Sequence, residues 1–175
     1  MAGSPILAPI QIPTELLPFF EAAGWYASRR VQLPDALRST TPAGHPAREI
    51  LESLWGLHVG TSGSGIECAT SDLDFLWLAE DAEFAEPWQV LLGTRLIEVA
   101  EVQHGHGTLY AATDGRCFGR SMFDDAFYFE GPSFGAALDG LLRGRRARPM
   151  LRLDQDVVWL YGIPFTRSSP ELYGE

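Results

Sequence analysis

The chain has 175 residues, 23 acidic against 13 basic side chains, and a formal net charge of -10. Its 46% hydrophobic content suits one folded domain and argues against general disorder, while its acidity disfavours the phosphate neutralisation that nucleic-acid binding relies on. All 13 cations are Arg, and two cysteines, Cys68 and Cys117, are too few for a disulfide framework, which predicts a reduced cytoplasmic setting.

No early apolar run follows a basic start, and no segment approaches the ~20 apolar residues of a membrane span. "SRRVQL" (Ser28–Leu33) has a twin-arginine look. The "PDALRSTTPAGH" that follows cannot form the apolar core of an export signal.

Residues 1–13 carry three prolines and read as an extended lead-in. "PTELLPFFEAAG" predicts a helix with Thr14 as N-cap, Leu16, Leu17, Phe19 and Phe20 as its stripe, and Gly24 as its stop. Pro18 falls in the first turn, where a missing N–H costs least. "HPAREILESLWG" predicts a second helix with Ile50, Leu51, Leu54 and Trp55 on one stripe and Gly56 after it. "GTSGSG" is a flexible turn, after which the period changes to two. "SDLDFLWLA" sets Leu73, Phe75 and Trp77 against Asp72, Asp74 and Leu76, a strand with one wetter face. "RLIEVAEV", "GTLYAAT", "RCFGRS" and "DAFYFEG" continue as strands. "PSFGAALDGLLRG" predicts a helix with Phe134, Ala137, Leu138, Leu141 and Leu142 inward and Gly144 past its end. The apolar run "VVWLYGIPF" in the tail must pack, as an extra strand or across a dimer surface. Helices and strands are segregated, so the fold class is α+β, a central mostly antiparallel sheet flanked by helices.

"QHGHGTLYAATDGRCFGRS" raises the question of a metal site. Asp-Gly between two strand-like runs is a hairpin signal, because both turn positions tolerate positive φ. A two-residue loop at Asp114–Gly115 pairs Thr113 with Arg116 and Ala112 with Cys117, and sets Cys117 on the face of Tyr110 and Ala112. His106 then lies about 20 Å along the strand from Ala112. Zinc ligands sit ~2 Å from the ion, so His106 and Cys117 cannot share one. His104 and His106 remain as a lone pair of polar residues in a Gly-rich turn, and no metal or cofactor is expected.

No other constellation reads as an active site. Asp72 with Asp74, and Asp124 with Asp125, are solvated carboxylates in this reading. Ser62 and Ser64 lack the nucleophile-elbow spacing, and "GTSGSG" lacks the Gly-Lys-Ser/Thr ending of a phosphate loop. Charge placement is more informative. Glu67, Asp72, Asp74, Glu80, Asp81, Glu83 and Glu86 form an acidic run with no Arg, and five Arg follow between Arg143 and Arg152. The Arg cluster caps the last helix and pairs with the acidic body. The acidic run sets Asp72 and Asp74 on one face of a strand and Glu80, Asp81, Glu83 and Glu86 on a loop. With Phe84 or Trp88 as aromatic anchors, it makes a docking surface for a basic protein.

"AAGWYASRRV", "ILESLWGLHV", "LLGTRLIEVAEV", "LYAATDGRCFGRS" and "GPSFGAALDGLLRG" together resemble the third subfamily of SUKH immunity proteins. The resembling positions are Gly24, Trp25, Arg29 and Val31, then Leu54, Trp55, Gly56, Leu57 and Val59. Further on they are Gly115, Arg116 and Phe118 in the hairpin, and Gly131, Ser133, Phe134, Ala137 and Leu138 at the last helix. Ala27–Ser28 and Ala100 depart from the pattern. The resemblance spans residues 14–144, with 145–175 as an extension packing on the domain or on a partner. It implies an α+β fold that binds and neutralises a cognate toxin, a nuclease or deaminase, without being an enzyme. A homodimer is compatible with it. The alternatives are a scaffold module of the same fold, then a small hydrolase or metalloprotein.

Overall fold

The computed structural model describes residues 10–76 and 82–174. A 3-10 turn, Thr14–Leu16, runs into α1 (Leu17–Ala22), followed by α2 (Asp35–Thr40), α3 (Pro46–Leu54), α4 (Ala82–Leu92) and α5 (Phe134–Arg143). The strands are β1 (His58–Val59), β2 (Gly63–Ser64), β3 (Ala69–Thr70), β4 (Leu73–Asp74), β5 (Leu96–Val102), β6 (Gly107–Ala112), β7 (Cys117–Ser121), β8 (Ala126–Gly131), β9 (Arg148–Pro149), β10 (Val157–Leu160) and β11 (Ile163–Thr166). Seven of them form one sheet in the order β1-β4-β5-β6-β7-β8-β9, every neighbour antiparallel. The fold is α+β.

Helix ends follow their local chemistry. Gly24, Gly56 and Gly144 each take positive φ just past α1, α3 and α5, where an L side chain is disfavoured. Ser133 Oγ accepts from Ala136 N and caps α5. Thr14 does not cap α1; it opens the 3-10 turn, and Pro13 precedes it without a side-chain bond. At α3 the cap is His45, whose Nδ1 accepts from Ala47 N. Its Nε2 therefore carries the proton and meets Arg95 O at 3.2 Å. Burial lowers the His45 pKa, which keeps that neutral form.

The sheet is covered on both faces. On one, Val99, Leu109, Ala111 and Cys117 pack with Phe20 of α1, Leu51 and Leu54 of α3 and Leu138 of α5. On the other, Tyr110, Ala112, Phe118 and Phe127 pack with Ala85, Trp88 and Leu92 of α4. β6 is buried at every position for this reason, and its sequence is accordingly an unbroken weakly polar run rather than an alternation.

Two expectations are corrected. Ala111 pairs with Cys117, and Ala112 N donates to Arg116 O, so the hairpin loop is Thr113–Gly115, three residues closed by Gly115 at φ 91°. That is the turn-plus-bulge alternative to the two-residue loop. The one-residue slip moves Cys117 to the opposite face from Tyr110 and Ala112. The second correction concerns Glu83 and Glu86, expected on a loop: they lie on α4, residues 82–92, with Pro87 inside it. The expected long strand from Ser71 is regular only at Leu73–Asp74, and Trp77 to Ala79 lie outside the described residues.

Beyond α5, Arg143 and Arg145 both pair with Asp139, at 3.2 and 3.1 Å. β10 and β11 form a hairpin whose Val158, Leu160 and Phe165 are buried with Ala126, Tyr128 and Ala147. Val157 and Trp159 point outward.

Candidate functional site

The acidic run does not lie on one uniform surface. Glu67 sits exposed between β2 and β3 and accepts from Arg146 N at 2.9 Å. Asp72 is 2% exposed. Asp74 is half-buried, and Glu83 and Glu86 are exposed on α4. Glu80 and Asp81 lie outside the described residues. Trp88 is a core residue, 1% exposed and stacked on Phe127 at 4.4 Å. Phe84 is half-buried, with the Arg120 guanidinium 3.6 Å over its ring.

Register decides which acids share a face. Leu73 and Val102 are paired and belong to the core beneath α1, α3 and α5. Their neighbours Asp74 and Glu101 are also paired, so both point to the opposite face, the one that α4 covers. Glu98, opposite Tyr110 of the α4-side core, points the same way. Glu101 and Glu98 were not singled out from the sequence; their signal was the alternation in "RLIEVAEV". The α4 side of the molecule therefore carries Asp74, Glu98 and Glu101 from the sheet, and Glu83 and Glu86 from the helix. Burial first, and then the Asp74 carboxylate, push Glu101 up from the usual carboxylate range. α4 also exposes Val90 at 78% and Leu91 at 39%, and Leu76, which follows β4, is 57% exposed.

A second cluster borders this face. Asp72 Oδ1 accepts from His104 N at 3.2 Å, and Asp72 Oδ2 lies 3.1 Å from His104 Nδ1. His58 bridges the strands, 3.5 Å from Asp72 and 3.7 Å from Asp74. Ser62 Oγ lies 3.2 Å from His104 Nε2 and donates to Asp72 Oδ1 at 3.3 Å. The order serine, histidine, aspartate is that of a hydrolytic triad. Here the Ser62 hydroxyl has two acceptors in reach, the Asp72 carboxylate at 3.3 Å and, where the His104 proton sits on Nδ1, the ring Nε2 at 3.2 Å. The arrangement orients two exposed imidazoles on a buried acid. Among the described residues no group of three or more His, Cys, Asp or Glu is arranged to hold a metal ion.

The residues behind the family resemblance prove to be structural. Arg29 donates to Ser53 O at 2.6 Å and Trp55 O at 2.7 Å, tying off the carbonyl end of α3. Gly24, Gly56, Gly115 and Ser133 supply turns and caps, as described above. A family model agrees with them: that of the SUKH-3 immunity proteins matches residues 12–144. The chain belongs to the SUKH-3 immunity protein family. Comparisons with curated proteins and with solved structures find no match. Membership implies a toxin-neutralising role through binding of a cognate toxin, and suggests that the role is non-catalytic. Residues beyond 144, including the tail hairpin of this SUKH-3 protein, lie outside the matched region. Among its described residues no helix is long and apolar enough to cross a membrane.

Proposed function

We propose that this SUKH-3 protein neutralises, in the cytoplasm, a basic toxin domain of nuclease or deaminase type, by covering its catalytic face with the α4 side of the molecule. The observation that carries this reading is that one side of the sheet bears Asp74 and Glu101 while α4, which covers that side, exposes Glu83, Glu86, Val90 and Leu91. A nuclease or deaminase presents cations to bind phosphates, and an acidic surface competes for them with complementary charge. Asp74 and Glu101 repel one another in the free protein, and a docked cation relieves that repulsion. The apolar side chains supply the water-excluded centre that charge alone lacks. Val90 takes the anchoring part expected of Trp88, since Trp88 is occupied in the core.

The test is co-expression with a toxin domain from a reading frame that neighbours this chain's gene. Wild type should restore growth and form a complex with the toxin. Glu83→Lys with Glu86→Lys should do neither at physiological salt. Rescue unchanged by the double reversal contradicts the assigned surface, and a wild type that binds no toxin contradicts the reading itself.

A further inference from the structure

A cavity of about 200 Å³ lies between β8, the β2–β3 hairpin, α5 and the tail hairpin. Its wall includes Glu130, Tyr128, Tyr161, Cys68, Gly140 and Arg145, and its mouth lies at exposed Gln103, Phe123 and Asp124. Gly140 borders the Glu130 carboxyl closely: a Cβ there would stand 3.4 Å from Glu130 Oε1. The cavity is far larger than the roughly 30 Å³ share of one water molecule. Among the described residues Glu130 has no hydrogen-bond or ion-pair partner. Two cations of this region are engaged elsewhere. Arg145 Nε is on Asp139 at 3.1 Å, and the Arg146 guanidinium lies 5.5 Å over the Tyr161 ring.

Glu130 is half-buried, and a carboxylate that lines a partly closed cavity without a counter-ion is an incomplete pair. We propose that this cavity, which lies on the α5 side of the sheet and not under the α4 face, receives one guanidinium or ammonium group from a segment of the basic partner that reaches past the end of the sheet at the 121–125 turn, with Glu130 as its counter-ion. The proposal rests on the toxin-binding reading for the source of that group. A metal ion is a poorer fit, because a single carboxylate among phenols and a thiol offers too few hard oxygen ligands. An organic cation needs only one counter-ion, an aromatic wall and hydroxyl oxygens, which Glu130, Tyr128 and Tyr161 provide. Tyr161 already accepts from Ala147 N at 2.8 Å, which leaves its hydroxyl proton to donate.

Burial pushes Glu130 up to about 8, so the empty cavity holds it protonated at neutral pH. Entry of a cation then expels that proton. The groups facing Glu130 are Tyr128 and Asp124 from β8 and its preceding turn, Tyr161 from the tail hairpin, and Cys68 and Glu67 from the β2–β3 hairpin. Arg145 and Arg146 after α5, and Cys117 behind it on β7, complete the set. Burial raises Tyr128, Tyr161, Cys68 and Cys117 further still, with Cys117 at about 12 and Tyr161 beyond it, so Glu130 is the group that titrates near neutrality.

The experiment titrates n-butylguanidinium, with n-butylurea as the uncharged control, into the full chain by calorimetry in two buffers of different ionisation enthalpy. The inference expects binding of the cation alone, with about 0.9 proton released at pH 7 and affinity falling about tenfold from pH 7 to 6. Glu130→Gln, which keeps the shape and whose melting temperature verifies folding, should abolish both. Equal binding of n-butylurea, no proton release, or binding unchanged in Glu130→Gln overturns the site, whatever the toxin results. For the source, the same variant should bind the toxin domain at least tenfold more weakly than wild type. Equal toxin affinity overturns the partner side chain as occupant. A wild type that takes n-butylguanidinium yet binds no toxin overturns that source together with the immunity reading.

Discussion

The buried carboxylate of Asp72 holds His104 twice, taking its backbone N–H on one oxygen and its ring Nδ1 on the other, at 3.2 and 3.1 Å. This double grip explains a turn that its own residues disfavour. Gln103 and His104 both have positive φ, 53° and 55°, and neither is glycine. Such conformations cost of order 1–3 kcal/mol each and persist where surroundings impose them. Asp72 also accepts from Gln103 through its main-chain carbonyl, at 3.2 Å. Asp72→Ala should therefore lower unfolding free energy by about 2 kcal/mol, the cost of losing a charged acceptor from buried donors. Urea unfolding measures it. Loss below about 0.5 kcal/mol, or unchanged amide protection at 103–106, would show that the turn stands without Asp72.

Trp88 and Val90 lie two residues apart on α4 with opposite fates, 1% and 78% exposed. Trp88→Ala should cost about 3–5 kcal/mol, because it empties the stack on Phe127. Val90→Ala should change stability by less than about 0.5 kcal/mol and weaken toxin binding. Thermal melts with binding measurements separate the two. A Val90→Ala chain that binds as tightly as wild type removes Val90 from the docking centre.

Glu130 makes stability depend on pH in a direction that carboxylates rarely produce. Its folded value is raised from 4.5 to about 8, so the unfolded chain loses this proton first. Below about pH 4.5 both states are protonated and the group contributes nothing. Between there and about pH 8 it removes at most about 1.4 kcal/mol per pH unit, and above that the penalty is constant. Relative to wild type, Glu130→Gln should gain stability steadily from pH 5 to 8. A difference that is flat across that window would contradict the unpaired carboxyl in the cavity.

Ser62, His104 and Asp72 stand in the order of a triad, and the account assigns them no hydrolysis. Purified chain should cleave p-nitrophenyl acetate no faster than free imidazole at matched concentration, with Ser62→Ala unchanged. A burst of p-nitrophenol that disappears in Ser62→Ala would overturn that assignment.

Local signals carried most of the fold into the sequence. Gly56 after "ILESLW" and Gly144 after "ALDGLLR" marked helix ends because positive φ is a property of the residue itself. The strands β5 to β8 were legible because apolar runs between turn residues have few other uses. What failed was tertiary. The loop of the Asp114–Gly115 hairpin is one residue longer than its dipeptide suggests, and that slip alone reversed the face of Cys117. α4 was hidden by Pro87 and by acids that resemble a loop, while Trp88 that pins it to Phe127 looked like an exposed anchor. The acidic character of the site was visible, but its membership was not. Asp72 is withdrawn into the protein by His104, and Glu101 is brought beside Asp74 by pairing across strands, a relation that no spacing along the chain records.

The central claim is that the α4 face docks a basic toxin through charge. Its most direct test is the association rate of the toxin domain with wild type and with the Glu83→Lys, Glu86→Lys double reversal, at low and high salt. Both positions are exposed, so folding should be preserved. The account predicts slower association for the reversal by at least tenfold at low salt, little change in dissociation, and a gap that narrows as salt screens the charges. Equal association rates at low salt would contradict it, and would leave the acids of α4 as an ordinary solvated face.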